Sequence, residues 1–260
     1  MIQQQYIDSG VLEAYVTGTA TDAEVNELMY MKAKYPETIL LFRLGDFYET
    51  FEEDAKITSK VLGITLTKRG NGAATEIPLA GFPHHALESY MPKLLKACYR
   101  VAVCEQLEDP KFAKGIVKRD VIEVVTPGIA FSDNVLNQKQ NNYLLAVALP
   151  SPLATSSETI GIAFIDVTTA EFSVSEFPLK QLPEQVSSLT PSEIIVQKRD
   201  LDTLQQILKG RYNGIFTKLD DWIFHFDYAY ELLINHFKTQ TLKGFGVEGL
   251  TLGTIAAGAV

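Results

Sequence analysis

Residues Leu40 to Phe51 read LLFRLGDFYETF, and the Gly45-Asp46 pair in the middle limits what the N-terminal half of the chain can become. Two residues of Gly-Asp type between β-compatible runs favour a tight hairpin, because glycine accepts the positive φ that the primed turns require. The expected path is strand, turn, strand, with TILLFRL and FYETF as the arms and a helix starting near Glu52. A rival reading exists. Asp46 with Glu49 three residues later resembles a capping box, and Tyr48, Phe51, Ala55 and Leu62 would share one helical face. On a helix Phe47 and Glu49 would stand ~200° apart, whereas on a strand both point the same way. The hairpin is the preferred reading.

The rest of the chain follows an α/β rhythm. The first twenty or so residues show little periodicity and end in TGTATDAE, a loop before a helix capped at Thr21 or Asp22, with Val25, Leu28, Met29 and Met31 as its inward stripe. Beyond the hairpin, GITLTKR reads as a strand, NGAATEIP as a loop and HHALESYMPKLLKAC as a helix that Pro92 could kink. RVAVCEQL and RDVIEVVTP read as two more strands. Pro127-Gly128 and the polar run SDNVLNQKQNN then mark a boundary. After it, NYLLAVAL and TIGIAFIDVTTAEFSVSEF look like three strands with a turn at Thr168-Thr169-Ala170. PEQVSSL (helix), EIIVQ (strand), LDTLQQILKG (helix), IFTKLD (strand) and a helix opened by Asp227, DYAYELLINHF, come next. A meander that goes over to strands alternating with helices suggests a ribonuclease-H-like sheet. GLTLGTIAAGAV begins a small-residue apolar helix.

The expected fold is thus α/β, a mixed-sheet N-terminal domain followed by a ribonuclease-H-like one. The divisions are 1–24 (an N-terminal extension), 25–128 (first domain), 129–138 (linker), 139–250 (second domain) and 251–260 (the start of a further helical region).

Charge qualifies this picture. The chain carries a net −9, which alone speaks against nucleic acid, yet residues 60–119 hold ten Lys and Arg against five Asp and Glu. A basic segment in an acidic chain is what a phosphate-facing surface would look like, or simply a solvated one. Cys98 and Cys104 are too sparse for a disulfide framework or a CxxC metal site and read as small buried hydrophobes. There is no apolar window of ~18 residues and no secretory signal, so the expectation is a cytoplasmic protein without a membrane partner.

Phe47 and Glu49 carry the most specific chemistry. An apolar ring on a strand tip can wedge between base pairs and recover stacking worth ~1–3 kcal/mol. A carboxylate beside it repels phosphate but accepts a hydrogen bond from a base N–H. Such a pair favours DNA that is already easy to unstack, as at a mismatch. The plainer alternative is a core phenylalanine and a solvated glutamate. His84-His85 lack partner ligands for a metal. Gly244 to Gly249 fit G-x-G-x-x-G but follow a helix, which argues against a dinucleotide site. Asp166 stands where a ribonuclease-H-like nuclease would place its first metal-binding carboxylate, with Glu171 nearby. A polar residue holding a turn accounts for it equally well, because no further converging set of acids is visible.

GDFYETF, LGITLTKRGNG, IPLAGFPHHALESYMPKLLKACYRVAVCEQLEDP and VTPG resemble the N-terminal mismatch-binding domain of the DNA mismatch repair protein family MutS. YLLAVAL, GIAFIDVTTAEF and LTPSEIIV are similar to the connector domain that follows it, so the likeness covers about residues 25–250. The resemblance implies that Phe47 stacks on a mispaired or unpaired base from the minor groove and that Glu49 hydrogen-bonds to it. Lys68 and Arg69 are then implied as backbone-side DNA contacts. It also implies contact of the connector with a MutL-like protein, and homodimerisation of the full-length family. The family's lever, clamp and ATPase domains would follow residue 260. No G-x-x-x-x-G-K-[ST] loop occurs here, so ATP and Mg²⁺ are expected only of that ATPase domain, and this chain is expected to be a binding module without enzymatic activity. A nuclease using Asp166, or a protein-interaction module without DNA binding, are the alternatives.

Overall fold

The computed structural model of the protein describes residues 23–70, 76–108, 117–129, 141–151 and 158–260. The chain divides after Thr126 into two compact units. The first contains α1 (Ala23–Lys34), β1 (Thr38–Leu44), β2 (Phe47–Phe51), α2 (Glu52–Leu62), β3 (Thr67–Gly70), β4 (Glu76–Pro83), a 3₁₀ turn (His84–Ala86), α3 (Leu87–Lys96), β5 (Arg100–Gln106) and β6 (Arg119–Val125). Its strands form one sheet in the order β3-β4-β2-β1-β5-β6. β1 and β5 run parallel, and the other pairs are antiparallel.

The hairpin closes as the sequence predicts. Leu44 faces Phe47 across the ladder, so Gly45-Asp46 is the entire loop. Gly45 takes φ of +56° and Asp46 does not go positive, the pattern of a type II′ turn. β2 then passes directly into α2 with no intervening loop, Glu52 itself taking φ of +52°.

Residues Thr38 to Phe42 of β1 are all buried, because helices cover both faces of the sheet. On one face Leu40 and Phe42 pack with Leu28 and Met31 of α1 and with Ala102 and Cys104 of β5. On the other, Tyr48 meets Phe82, whose ring lies 4.8 Å from Tyr90 of α3, and α2 packs beside α3. Pairing of β1 with β2 begins at Phe42, and Asp54 of α2 accepts the Leu40 N–H beyond it at 3.0 Å. Lys32 closes the arrangement with its ammonium 2.8 Å from the same carboxylate. Burial raises the Asp54 pKa, and Lys32 and the Leu40 N–H only partly offset that.

In the second unit β7 (Leu144–Ala148), β8 (Thr159–Asp166) and β9 (Glu171–Pro178) form an antiparallel meander. There follow α4 (Leu182–Leu189), β10 (Glu193–Gln197), α5 (Leu201–Ile207), β11 (Ile215–Leu219), α6 (Phe226–His236) and α7 (Thr251–Ala259). The sheet order is β11-β10-β7-β8-β9, with β10 parallel to both β7 and β11. A meander whose first strand is flanked by two parallel additions is the ribonuclease-H-like arrangement expected from the sequence. β7 and β10 are buried throughout. Leu145, Val147, Ile194 and Val196 pack against Leu182, Val186 and Leu204 of α4 and α5. Leu144, Ala146, Ala163 and Ile195 pack against Leu233, Ala256 and Ala257 of α6 and α7. The small residues near α7 are needed for contact: a Cβ on Gly161 would fall 2.0 Å from the Leu252 carbonyl carbon, so the helix lies directly on β8.

Several expectations are corrected. The GITLTKR strand begins only at Thr67, because Gly63 is the left-handed cap of α2 and returns its N–H to Ser59. Part of the NGAATEIP loop is strand from Glu76 onward, since Ile77 is buried against Met29 and Phe51. The helix expected from His84 begins only at Leu87, after a 3₁₀ turn over His84–Ala86, and Pro92 sits buried inside it. Cys98 is exposed, in a left-handed turn of φ +61° that ends α3, and only Cys104 is buried. α6 starts at Phe226, which places Asp227 in its first turn and not at its cap. The proposed cap at Thr21 or Asp22 lies outside the described residues, as does the 129–138 linker beyond Ile129. No helix among the described residues is long and apolar enough to cross a membrane.

Candidate nucleic-acid interface

Alternation along β2 sets the candidate site. Phe47 is 45% exposed while Tyr48 and Thr50 are buried, so the ring and the half-buried Glu49 side chain, whose Oε2 is shielded from solvent, share one face and the intervening side chains face the core. Phe47 lies in register between Leu44 and Pro83, and Glu49 between Phe42 and Gly81. Gly81 has to be glycine: a Cβ there would stand 2.9 Å from the Tyr48 carbonyl oxygen and 3.3 Å from Glu49 Cγ.

Both carbonyls of the turn are held. Arg43 Nε donates to the Gly45 carbonyl, and His84 places its backbone N–H 2.9 Å and its Nδ1 3.1 Å from the Asp46 carbonyl. Beneath the turn, the Tyr48 hydroxyl donates to Glu105, whose carboxylate also takes Arg43 at 3.5 Å. The Arg43 guanidinium lies 5.6 Å from the Tyr48 ring centre. Burial, reinforced by the bond to Glu105, pushes the Tyr48 hydroxyl pKa well above its ordinary value, so it stays a donor. A one-residue slip of β2 would exchange Phe47 and Tyr48 between the faces; the Tyr48–Glu105–Arg43 cluster opposes it.

Lys68 and Arg69 sit on β3 at the edge of the sheet, opposite Pro78 and Ile77. Phe47 and Lys68 are therefore separated by two strand spacings and by ~17 Å along β4. Parity along the ladder puts the exposed Lys68 on the face opposite the Phe47 ring. The structure does not bring Lys68 to the Phe47–Glu49 pair.

The other candidates resolve as structural. Asp166 is fully buried, with one oxygen accepting the Asn142 N–H at 3.0 Å and the other the Thr168 N–H and hydroxyl at 2.9 and 2.6 Å. Burial alone would raise its pKa, but these bonds outweigh it and hold the carboxyl below its ordinary value. Glu171 accepts from the Tyr143 hydroxyl at 2.8 Å. Among the described residues no cluster of three or more His, Cys, Asp or Glu could hold a metal ion. The Gly244–Gly249 run follows α6 and a 3₁₀ turn, with no strand before it.

Sequence reasoning did not single out Gly81, Arg43 or Glu105, and it weighed His84 only as a metal ligand. The signal for Gly81 was a lone glycine inside the strand-like run IPLAGFP, a pattern that marks close backbone approach.

Residues 25–134 match the family model of MutS domain I, and residues 142–260 that of MutS domain II. The DNA mismatch repair protein MutS of Chlorobaculum parvum is 51% identical over 236 residues, covering 91% of this chain and 27% of that protein. The MutS of Salinibacter ruber is 50% identical over 230 residues, covering 88% and 25%. That of Bacteroides thetaiotaomicron is 45% identical over 238 residues, covering 91% and 26%. The chain thus spans about a quarter of the length of these curated relatives. Two consecutive domain matches that together span most of the chain, with relatives at about half identity, lead to one conclusion: this chain belongs to the MutS family.

Proposed function

We propose that the first unit recognises mispaired or unpaired bases in duplex DNA. Phe47 enters the minor groove and stacks on the displaced base, and Glu49 hydrogen-bonds to that base. The observation that carries this reading is the exposure of a large aromatic ring, 45%, at a braced hairpin tip with a carboxylate on the same face. A core phenylalanine would be buried, and a helical segment would separate the two groups. The names of the relatives support the same substrate class. In this reading Arg69 and Lys68 contribute to the grip on the DNA backbone away from the lesion. The second unit serves as a connector contacting a MutL-like protein, and a homodimer is the assembly in which both units work. Exposed Trp222 and Phe245 on the second unit support a contacting role.

Stacking worth ~1–3 kcal/mol corresponds to roughly a five- to hundred-fold preference for the lesion. Binding of the chain to a duplex with one mismatch and to its fully paired counterpart tests this, with Phe47→Ala alongside. The expected result is collapse of the mismatch-to-paired ratio in the variant. An unchanged ratio rejects the wedge.

A further inference from the structure

Part of the basic segment of the sequence folds away from the Phe47 face. Lys60, Lys93 and Lys96 of that segment, joined by Lys56, gather around an open groove of about 720 Å³ between α2 and α3. These helices cover the sheet face that carries Tyr48, the opposite one from Phe47 and Glu49. The groove therefore stands apart from the candidate mismatch contact.

Its lining has a definite layout. Lys56 and Lys60 lie one helical turn apart on one bank, and Lys93 and Lys96 three residues apart on the other. All four are exposed, half-buried Ile57, Val61 and Tyr99 form an apolar floor between them, and exposed Ala97 completes the lining. No acidic side chain lines it. Glu53 stands at the rim, where it pairs with Lys56 at 2.5 Å, and Lys93 rests 5.1 Å from the Tyr90 ring centre.

We infer that this groove docks an acidic amphipathic protein segment about two helical turns long. Its apolar stripe covers Ile57, Val61 and Tyr99, and its carboxylates meet the lysines on both banks. Residues three and four apart share a helix face, so acids at that spacing match the lysine spacing on either side. An apolar stripe laid into a groove between helices is an established mode of peptide capture. A nucleic-acid backbone fits less well, because it would leave the apolar floor uncovered. The lysines here are also point charges, without arginine forks to take phosphate in two bonds.

The experiment titrates the 260-residue chain with a fluorescein-labelled sixteen-residue peptide bearing Leu on one helical face and Glu flanking it. A scrambled peptide of the same composition and a single-stranded oligonucleotide are run beside it. Variants are Lys60→Glu with Lys93→Glu, and separately Ile57→Ser; circular dichroism verifies that each is folded. The proposal expects the amphipathic peptide to bind better than the scrambled one, to lose roughly tenfold or more on lysine reversal, and to weaken on Ile57→Ser. Equal binding of the two peptides, or affinity indifferent to the lysines, overturns it. So does an oligonucleotide that needs the lysines but ignores Ile57, which would make the groove a phosphate-backbone site.

Discussion

His84 holds the carbonyl of Asp46 twice, through its backbone N–H at 2.9 Å and its ring Nδ1 at 3.1 Å. Arg43 holds the neighbouring carbonyl of Gly45 from the other strand of the hairpin. The loop that delivers Phe47 is thus fixed from two sides before any ligand arrives, which lowers the ordering cost of binding.

Replacing His84 with Ala removes the ring contact and keeps the backbone one. The expected cost is ~0.5–1.5 kcal/mol of stability with a few-fold loss of mismatch preference, read by denaturant titration and duplex binding. A stability loss of that size with full preference retained would show that the ring does not orient the tip.

Gly81→Ala puts a methyl group 2.9 Å from the Tyr48 carbonyl oxygen and 3.3 Å from Glu49 Cγ. Overpacking of this kind costs ~1–3 kcal/mol. The strand pair has to shift, so mismatch preference should fall further than in Glu49→Ala, which leaves the backbone in place. Comparing the two variants on the same pair of duplexes checks this.

Lys32→Met strands the Asp54 carboxylate in the first unit. Removing one partner of a buried pair costs ~3–5 kcal/mol, and with Lys32 and Asp54 still 22% and 12% exposed the lower figure applies. Asp54 already has a raised pKa from burial, and loss of the lysine raises it further. A group with a raised folded pKa favours the fold most when protonated, and that contribution is lost as pH rises from 3.8 through the folded value. The defect should accordingly be smallest in mild acid and grow toward neutrality, as denaturation midpoints across pH would record.

Asp166 behaves with the opposite sign. Its folded pKa is lowered, so it contributes stability that is fully present above the ordinary value of 3.8 and disappears as pH falls through the folded value. Asp166→Asn should lower stability at neutral pH by ~1–3 kcal/mol through lost acceptors and flatten the acid limb. A variant as stable as the parent at pH 7 contradicts the turn-holding role.

Much of this was legible beforehand. Gly45-Asp46 and the period-two alternation placed Phe47 and Glu49 on one face, and the meander foretold the second sheet. What escaped depended on register or on local caps. Gly81 is 32 positions from Glu49 in the chain, and only the β2–β4 ladder makes them neighbours. Gly63 looked like the start of a strand because a left-handed cap and a strand entry use the same residue type. The positive charge of residues 60–119 was visible, but its destination was not, since helix packing turned three of those lysines onto the face away from Phe47.

The direct join of β2 to α2 has a mechanical meaning. With no spare link between Phe51 and Glu52, one inserted residue would swing every side chain of the helix through ~100°, carrying Asp54 off the Leu40 amide and turning the lysine bank aside. Ribbon and helix behave as a single machined part, and length changes at that junction are the ones this domain can least absorb.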